Sequence, residues 1–568
     1  MTIADPSKTE KERHVNSPPT FSLLTKPWIK CEMRDGSDQT LSIRDVFDGR
    51  HDIKGIRGDS PSQDYAVLRV LLAIFWRAHH PEILVRPGRT FHFDEWFEDE
   101  LDNLGRADEL VLEYLTAYAD RFDLLDPEAP FMQVADLRTS KDSRFPVSRI
   151  IPEAEESYFT MRAGQARESL DFAEAARWLI HTQAYDYSGI KSGAVGDERV
   201  KGGKGYPIGT GWSGRTGGTI VVGGNLRETI LLNTTQQALA EATDKPVWER
   251  RPDTAAERHV VQPAGAGEAP GPQGPSDLAT WQGRRVRLFN DGERITAVLV
   301  SNGDRIPDAG ANVLDDPMTP YRYSKNQSKK GRPVYYALPF DSNRTVWRSL
   351  EPLISLEKDP GFDSKNVAPK RPKNLSQLAE LAEAIDIPKV LDVHMVSLAY
   401  GPQESSVGTA VSGRIEIPVA LLEPESAAIR REVIDAAAAT RDAAIALGQF
   451  AGHLLEAAGG VYEFQPDPTD GILADIEPRF ISWLGQLEME DVDQQVSDWQ
   501  IQVREQIRDR AAELMRGAGP KALAGREVTG IDGSERILSA GSAYQMLQAR
   551  LKKILFRIKE TPHKEIDR

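Results

Sequence analysis

Residues Glu423–Ala458, EPESAAIRREVIDAAAATRDAAIALGQFAGHLLEAA, mark the point at which this chain changes character. Alanine is the strongest helix former, and the larger apolar residues recur at helical spacing, so the stretch predicts one long helix. Gly459–Gly460 follows it, and glycine just past the last periodic residue is a usual helix stop. Three further helical patterns lie at about Gly471–Gln486, Asp491–Arg516 and Ser539–Lys559. Short connectors, with a longer one near Gly517–Ser534, predict a carboxy-terminal four-helix bundle over 419–568.

Upstream of Pro418 no single period dominates. FSLLTKPWIKCEM reads as a strand, Asp35–Ser37 as a turn, and Gln39–Ile43 as a second short strand. Ser62–His80 has the spacing of a buried helix with Ser62 as its N-cap, and helical pattern returns at Glu95–Asp120 and Phe172–Ala184. Strand-like runs follow at Gly218–Val222, Arg227–Leu232, Val286–Leu288, Ala297–Val300 and Val334–Leu338. Mixing of types without regular alternation predicts an α+β domain over 20–418. Residues 1–19 read as a disordered tail with no apolar signal region, and 250–275, rich in proline, glycine and alanine, as an exposed disordered loop.

At 568 residues the chain exceeds what one core usually supports, which implies at least two domains. No run approaches the roughly 18 apolar residues a membrane-spanning helix needs, so no membrane role is expected. Cys31 is the only cysteine, which excludes an internal disulfide and any zinc site built on several thiolates, and makes the cytoplasm the natural compartment. The net charge of −16 argues against nonspecific coating of nucleic acid. Any binding of nucleic acid by this chain therefore goes through local cationic patches.

One such patch is suggested by Gly189–Gly224, GIKSGAVGDERVKGGKGYPIGTGWSGRTGGTIVVGG, which holds thirteen glycines in thirty-six residues. Lys191, Arg199, Lys201, Lys204 and Arg215 outnumber Asp197 and Glu198 there, which predicts a positive, flexible surface open to a phosphate backbone. The rival reading is a nucleotide-dependent enzyme, since Gly209, Gly211 and Gly214 match GxGxxG. That motif needs a buried strand before it and a helix opening at its last glycines, and neither is evident in the sequence. Scattered histidines offer no metal site, the His79–His80 pair being explained by a helix end, and no cofactor is expected. Leu391–Ile417 reads as two strands around a turn with Gln403, Glu404 and Ser405 at its tip. The tip is either an ordinary exposed turn or a polar wedge able to enter a groove or hold apart a base pair. In the last helix Arg550, Lys552, Lys553, Arg557 and Lys559 form a basic face, solvated or strand-binding.

FSLLTKPWI at Phe21–Ile29, PFMQ at Pro130–Gln133, QAYDYSG at Gln183–Gly189, RETILLN at Arg227–Asn233, DDPMTPYR at Asp315–Arg322 and SLAYGPQ at Ser397–Gln403 occur in an order, followed by a helical bundle, that resembles the CasA family. Those proteins are the large subunits of type I-E Cascade, a CRISPR RNA-guided DNA surveillance complex. The resemblance implies a non-catalytic subunit that partners CRISPR RNA and the other Cascade subunits. It also implies recognition of a protospacer-adjacent motif (PAM) in duplex DNA, help in strand separation, and recruitment of a helicase–nuclease. By the same resemblance the family's glycine loop matches Gly189, Ile190 and Lys191, its wedge matches Gln403 or Glu404, with Ser405 beside them, and its minor-groove reader lies near Asn312. A loop at the RNA 5′ end matches Phe159, Thr160, Met161 and Arg162, and Lys552 and Lys553 are expected to meet the displaced strand. A purely structural scaffold stands beside these readings as a further alternative.

Overall fold

The computed structural model describes residues 19–80, 90–154, 160–240, 242–258, 271–306, 314, 316–328, 333–337, 339–340, 345–529 and 535–558. It contains both helices and strands and divides into two compact units. Unit 1 takes in the described parts of Met1–Thr319, Ser324–Pro339 and Met395–Val411; unit 2 those of Pro320–Tyr323, Phe340–His394 and Ser412–Arg568. The division is therefore not the single cut at Pro418 read from the sequence. Asp359 and Arg371 explain part of the difference, because both bond to the start of the helical region: Asp359 to buried Arg430, and Arg371 Nη1 to the Leu422 carbonyl at 2.8 Å.

Unit 1 begins with a three-stranded antiparallel sheet in which β1 (Ile29–Met33) lies between β2 (Asp38–Leu41) and β3 (Ile53–Ile56). Helix α1 (Pro61–Ala78) starts at Ser60, whose side chain accepts from the Gln63 amide, with proline at its first position where the missing N–H costs nothing. Nearly all of its faces are buried, Trp76 and Phe75 among them. The pattern expected for Glu95–Asp120 resolves into α2 (Phe93–Asp102) and α3 (Glu109–Ala117), the second capped by Asp108. Helix α4 (Phe172–Tyr185) is capped by Asp171 and packs on α1.

Strands β4 (Lys191–Ser192) and β5 (Lys204–Gly205) form a small ribbon, followed by α5 (Trp212–Thr216), β6 (Gly218–Val222) and α6 (Leu226–Leu232). Arg227–Leu232, expected as a strand, is thus helical. Asn225 caps it by accepting from the Glu228 amide at 2.9 Å, a local bond that outweighs the strand-like content of RETILL. Strands β7 (Arg284–Asn290) and β8 (Ile295–Asn302) pair from Arg284↔Asn302 to Asn290↔Ile295.

The expected disordered loop at 250–275 is corrected at its described flanks. Arg285 donates to the Thr254 and Ala256 carbonyls at 2.7 and 3.0 Å, Ala255 joins a small apolar cluster, and Pro275 opens a short helix. Residues 259–270, and the expected tail through residue 18, lie outside the described residues. The hairpin read at Leu391–Ile417 is formed by β9 (Val390–Tyr400) and β10 (Val407–Pro418), in a sheet of order β10-β9-β6.

Unit 2 holds four long helices: α7 (Ala427–Ala457), α8 (Pro466–Gly485), α9 (Val492–Gly517) and α10 (Ala540–Ile554). Helix α7 contacts the other three, and its alanines explain how. A helix surrounded by partners must be slim, and Ala436, Ala443, Ala444 and Ala446 are all buried. Gly448 is tighter still, since a Cβ there would come within 2.3 Å of the Thr469 hydroxyl. Trp499 of α9 stacks on Trp483 of α8 and donates to Thr440 of α7 at 2.9 Å, tying three helices together. The connector after α9 contains a ribbon absent from the sequence reading, β11 (Arg526–Thr529) paired with β12 (Glu535–Leu538).

Candidate nucleic-acid interface

The segment QAYDYSG runs off the end of α4 into the glycine loop, and its side chains build the loop's foundation. Gln183 Nε2 donates to the Met132 carbonyl and to Gln282, while its Oε1 accepts from the Arg284 amide. Asp186, fully enclosed, accepts from Arg284 Nε, from Arg149 Nη2 at 2.8 Å and from Lys191 Nζ at 3.0 Å. Burial raises the cost of its charge, but the cations of Arg149, Arg284 and Lys191 overcome this and hold the carboxyl well below the usual range.

Lys191 therefore corrects the expectation of an exposed cation. Only 4% of it is exposed. Its ammonium also donates to the Tyr187 carbonyl at 2.8 Å and sits 3.6 Å from the centre of the Tyr187 ring. Burial lowers its pKa to about 7; attraction to Asp186 opposes the shift, and repulsion from Arg284 and Arg149 adds to it. One carboxylate serves three cations, and the lysine is the surplus charge.

The glycine loop and the hairpin tip meet directly. The Ser188 amide donates to the Glu404 carbonyl at 2.7 Å, and a Cβ on Gly189 would lie 3.7 Å from the Ser405 carbonyl oxygen. Tyr400 Oη, at the base of the tip, donates to the Tyr185 carbonyl at 2.6 Å. Ile190, Gln403 and Ser405 are exposed, and Gly189 and Glu404 half-buried. Gln403 and Glu404 both have left-handed backbones, φ 58° and 54°, which cost non-glycine residues roughly 1–2 kcal/mol each. Glycine and asparagine adopt such backbones at less cost.

Many glycines of the tract serve packing, contrary to the flexible surface expected. A Cβ on Gly211 would strike the Ala184 carbonyl at 2.3 Å, and one on Gly214 the Tyr400 hydroxyl at 1.9 Å. The same two glycines belong to the GxGxxG match, whose required setting does not form: β5 ends at Gly205 and α5 is only five residues long. The crevice beside the loop, lined in part by Arg149, His181 and Tyr187, has a volume of about 20 Å³, room for one water.

Other expected site residues separate. Arg162 bonds to Glu153 at 3.0 Å and to Glu174 at 2.6 Å, so its guanidinium is already paired; neighbouring Met161 is fully exposed and Thr160 half-buried. Phe159 and Asn312 lie outside the described residues. Asp316, next in the DDPMTPYR motif, is a core residue bonded to Arg69 at 2.8 Å and to Trp212. In unit 2, Lys552 and Lys553 are exposed, and Lys552 borders a groove of about 560 Å³ with Arg504, Arg508, Gln548 and Phe556. The sequence reading missed the two α9 arginines because their shared groove exists only once α9 and α10 pack. Among the described residues His79, Glu100 and Asp108 stand close enough to hold a metal. Arg227 already supplies positive charge to Asp108 at 2.8 Å, and His79 Nε2 lies 3.1 Å from the same carboxylate, so the group reads as a structural network. No described helix is long and apolar enough to cross a membrane.

A family model described as CRISPR-associated protein Cse1 matches residues 22–510. The curated CRISPR-associated protein CasA/Cse1 of Thermus thermophilus is 27% identical over 345 residues, which span 59% of this chain and 60% of that protein. The crystal structure of Thermobifida fusca Cse1 superposes with a TM-score of 0.81 at 35% identity, covering 95% of this chain and 99% of that one. A chain from a CRISPR RNA-guided surveillance complex shares the fold at 20% identity, with a TM-score of 0.61 over 88% of this chain and all of its own length.

Proposed function

The chain belongs to the CRISPR-associated Cse1 family, and from that membership we propose that it is the non-catalytic large subunit of a Cascade complex that recognises a PAM in duplex DNA. The observation that carries the reading is the bond from Ser188 to Glu404, which makes the glycine loop and the hairpin tip one surface. Gly189 and Ile190 lie beside Gln403, Glu404 and Ser405 on that surface, so recognition and wedging act at neighbouring base pairs. Backbone groups of the loop face the minor groove, which distinguishes mainly A·T from G·C and therefore reads permissively. Guide-RNA pairing supplies the remaining specificity.

Gln403 is the wedge favoured by exposure, since Glu404 is half-buried and its carbonyl is committed to Ser188. Stacking in DNA is worth about 1.4 kcal/mol per step, more than one amide can replace, so the wedge biases opening while the guide heteroduplex sustains it. Lys191 supports the loop from beneath. Thr160 and Met161 remain available for the RNA 5′ end, with Arg162 holding their segment to α4 through Glu174. The groove bordered by Arg504, Arg508 and Lys552 suits the displaced strand, and the surrounding bundle docks neighbouring subunits and the helicase–nuclease.

Duplex binding by the guide-RNA complex, assembled with and without this chain across a series of flanking trinucleotides, tests the proposal. Flank-dependent binding only in its presence is expected. Binding indifferent to both chain and flank would overturn the recognition role.

A further inference from the structure

The register of the β4–β5 ribbon shows which cations of the glycine-rich tract can meet a ligand. Lys191 pairs with Gly205 and Ser192 with Lys204. Side chains alternate between faces along a strand, so the face opposite Lys191 carries Ile190, Lys204 and Tyr206. At the ribbon's end the amides of Lys201 and Lys204 each donate to the other's carbonyl at 3.1 Å, closing a turn in which Gly202 and Gly203 have φ 60° and 74°. Such backbones fit a tight turn between twisted strands and are open to glycine at little cost.

The composition of this face is unusual for a solvated loop. Lys201 and Lys204 are both exposed and oppose each other across the turn, and neither has an ion pair among the described residues. Like charges directly opposite on paired strands are destabilising. By contrast, Lys191 and Arg199 of the same tract are paired with Asp186 and Asp197. Ile190 and Tyr206 are 56% and 55% exposed, and the Tyr206 backbone is held by Asn302, whose Nδ2 donates to its carbonyl at 2.6 Å. A clamped backbone thus presents an aromatic ring and an aliphatic side chain next to two unpaired cations.

We propose that this outer face binds the phosphodiester backbone of the target duplex, with Lys201 and Lys204 each neutralising one phosphate and Tyr206, beside Ile190, packing on the adjoining nucleotide. The site rests on the recognition role proposed above and extends it: the cations of the glycine loop that meet DNA are Lys201 and Lys204, and Lys191 positions them from below. Duplex DNA is favoured over guide RNA because Ile190 adjoins Gly189, whose neighbour Ser188 bonds to the hairpin tip.

The test uses the assembled guide-RNA complex carrying Lys201→Gln with Lys204→Gln, a matched duplex target and a salt series. Losing two phosphate contacts lowers the slope of log K against log salt by about 1.8, equivalent at 0.1 M salt to roughly 60-fold weaker binding for wholly electrostatic contacts. Lys201→Arg with Lys204→Arg should restore the slope. Tyr206→Ala should weaken binding by a similar factor at every salt concentration, with the slope unchanged, because the contact it removes carries no charge. An unaltered slope and affinity in the glutamine variant, with flank dependence intact, overturns this site and leaves the recognition role standing. A defect in guide-RNA retention with normal duplex binding overturns the assignment to DNA. Flank-independent binding by the wild-type complex removes the recognition role itself, together with this extension of it.

Discussion

Replacing Asp186 by asparagine keeps the shape of the side chain and removes the one negative charge shared by Arg149, Arg284 and Lys191. Removing one partner from a buried ion pair costs about 3–5 kcal/mol, because the remaining charge stays desolvated. Here two guanidiniums and an ammonium would be left, although the Arg284 Nη2 bonds to the carbonyls of Asp186, Tyr187 and Gly209 persist and moderate the loss. Unit 1 spans about 350 residues, and at ~2.1 cal/mol/K per residue a loss of 3–5 kcal/mol lowers its melting temperature by roughly 4–7 °C. Differential scanning calorimetry of the full chain reads this directly. Adding Lys191→Met to Asp186→Asn should recover part of the loss by removing the surplus cation. A melting temperature within 1 °C of wild type for Asp186→Asn would refute the account of this cluster.

Lys191 carries a pH prediction. Its folded pKa, about 7, lies below the unfolded value near 10.5, so between these pH values the unfolded chain holds a proton that the folded chain lacks. Stability contributed by this lysine rises as pH increases through the window, and the stability difference between wild type and Lys191→Met should shift in favour of wild type from pH 7 to 10; a flat difference in denaturant titrations would mean that the ammonium stays charged. Gln403→Ala should slow opening of duplex targets while leaving binding to a pre-opened target nearly normal; stopped-flow reporters of strand separation distinguish this from an equal loss on both, which would make Gln403 an affinity contact. Lys552→Glu with Lys553→Glu should shorten the lifetime of the full R-loop, and an unchanged lifetime would leave both lysines as solvated charges.

The long helices were legible because their signals are local. Ser539 caps α10, and the alanine period of α7 survives in any window of its sequence; the cap of α1 is Ser60, two residues before the expected Ser62, which lies inside the helix. RETILLN was misread although its signal was also local: Asn225 followed three residues later by Glu228 is a capping pattern, and the β-branched Thr229 and Ile230 masked it. The glycine-rich tract failed for a different reason. Asp186 lies only five residues from Lys191, but Arg284, which completes the cluster, is 93 residues away from that lysine, and no reading of a 36-residue window shows which way a side chain will turn. Exposure of Lys201 and Lys204, by contrast, was implicit in KGGK, since two glycines between like residues make a tight turn whose flanks lie at the ribbon's end. The bond between loop and hairpin joins Ser188 to Glu404 across 216 positions, so their shared surface emerges only from the fold.

The left-handed pair at Gln403 and Glu404 sets two kinds of selection against each other at one address. A library scored on folding alone should drift at these positions toward glycine, asparagine and aspartate, the residues for which such backbones are least costly. A library scored on DNA interference should retain a long amide at 403 in spite of the strain. Where the two winning sets diverge, the divergence maps which side chains are kept for what they do to a ligand, and it does so without a structure of the bound state.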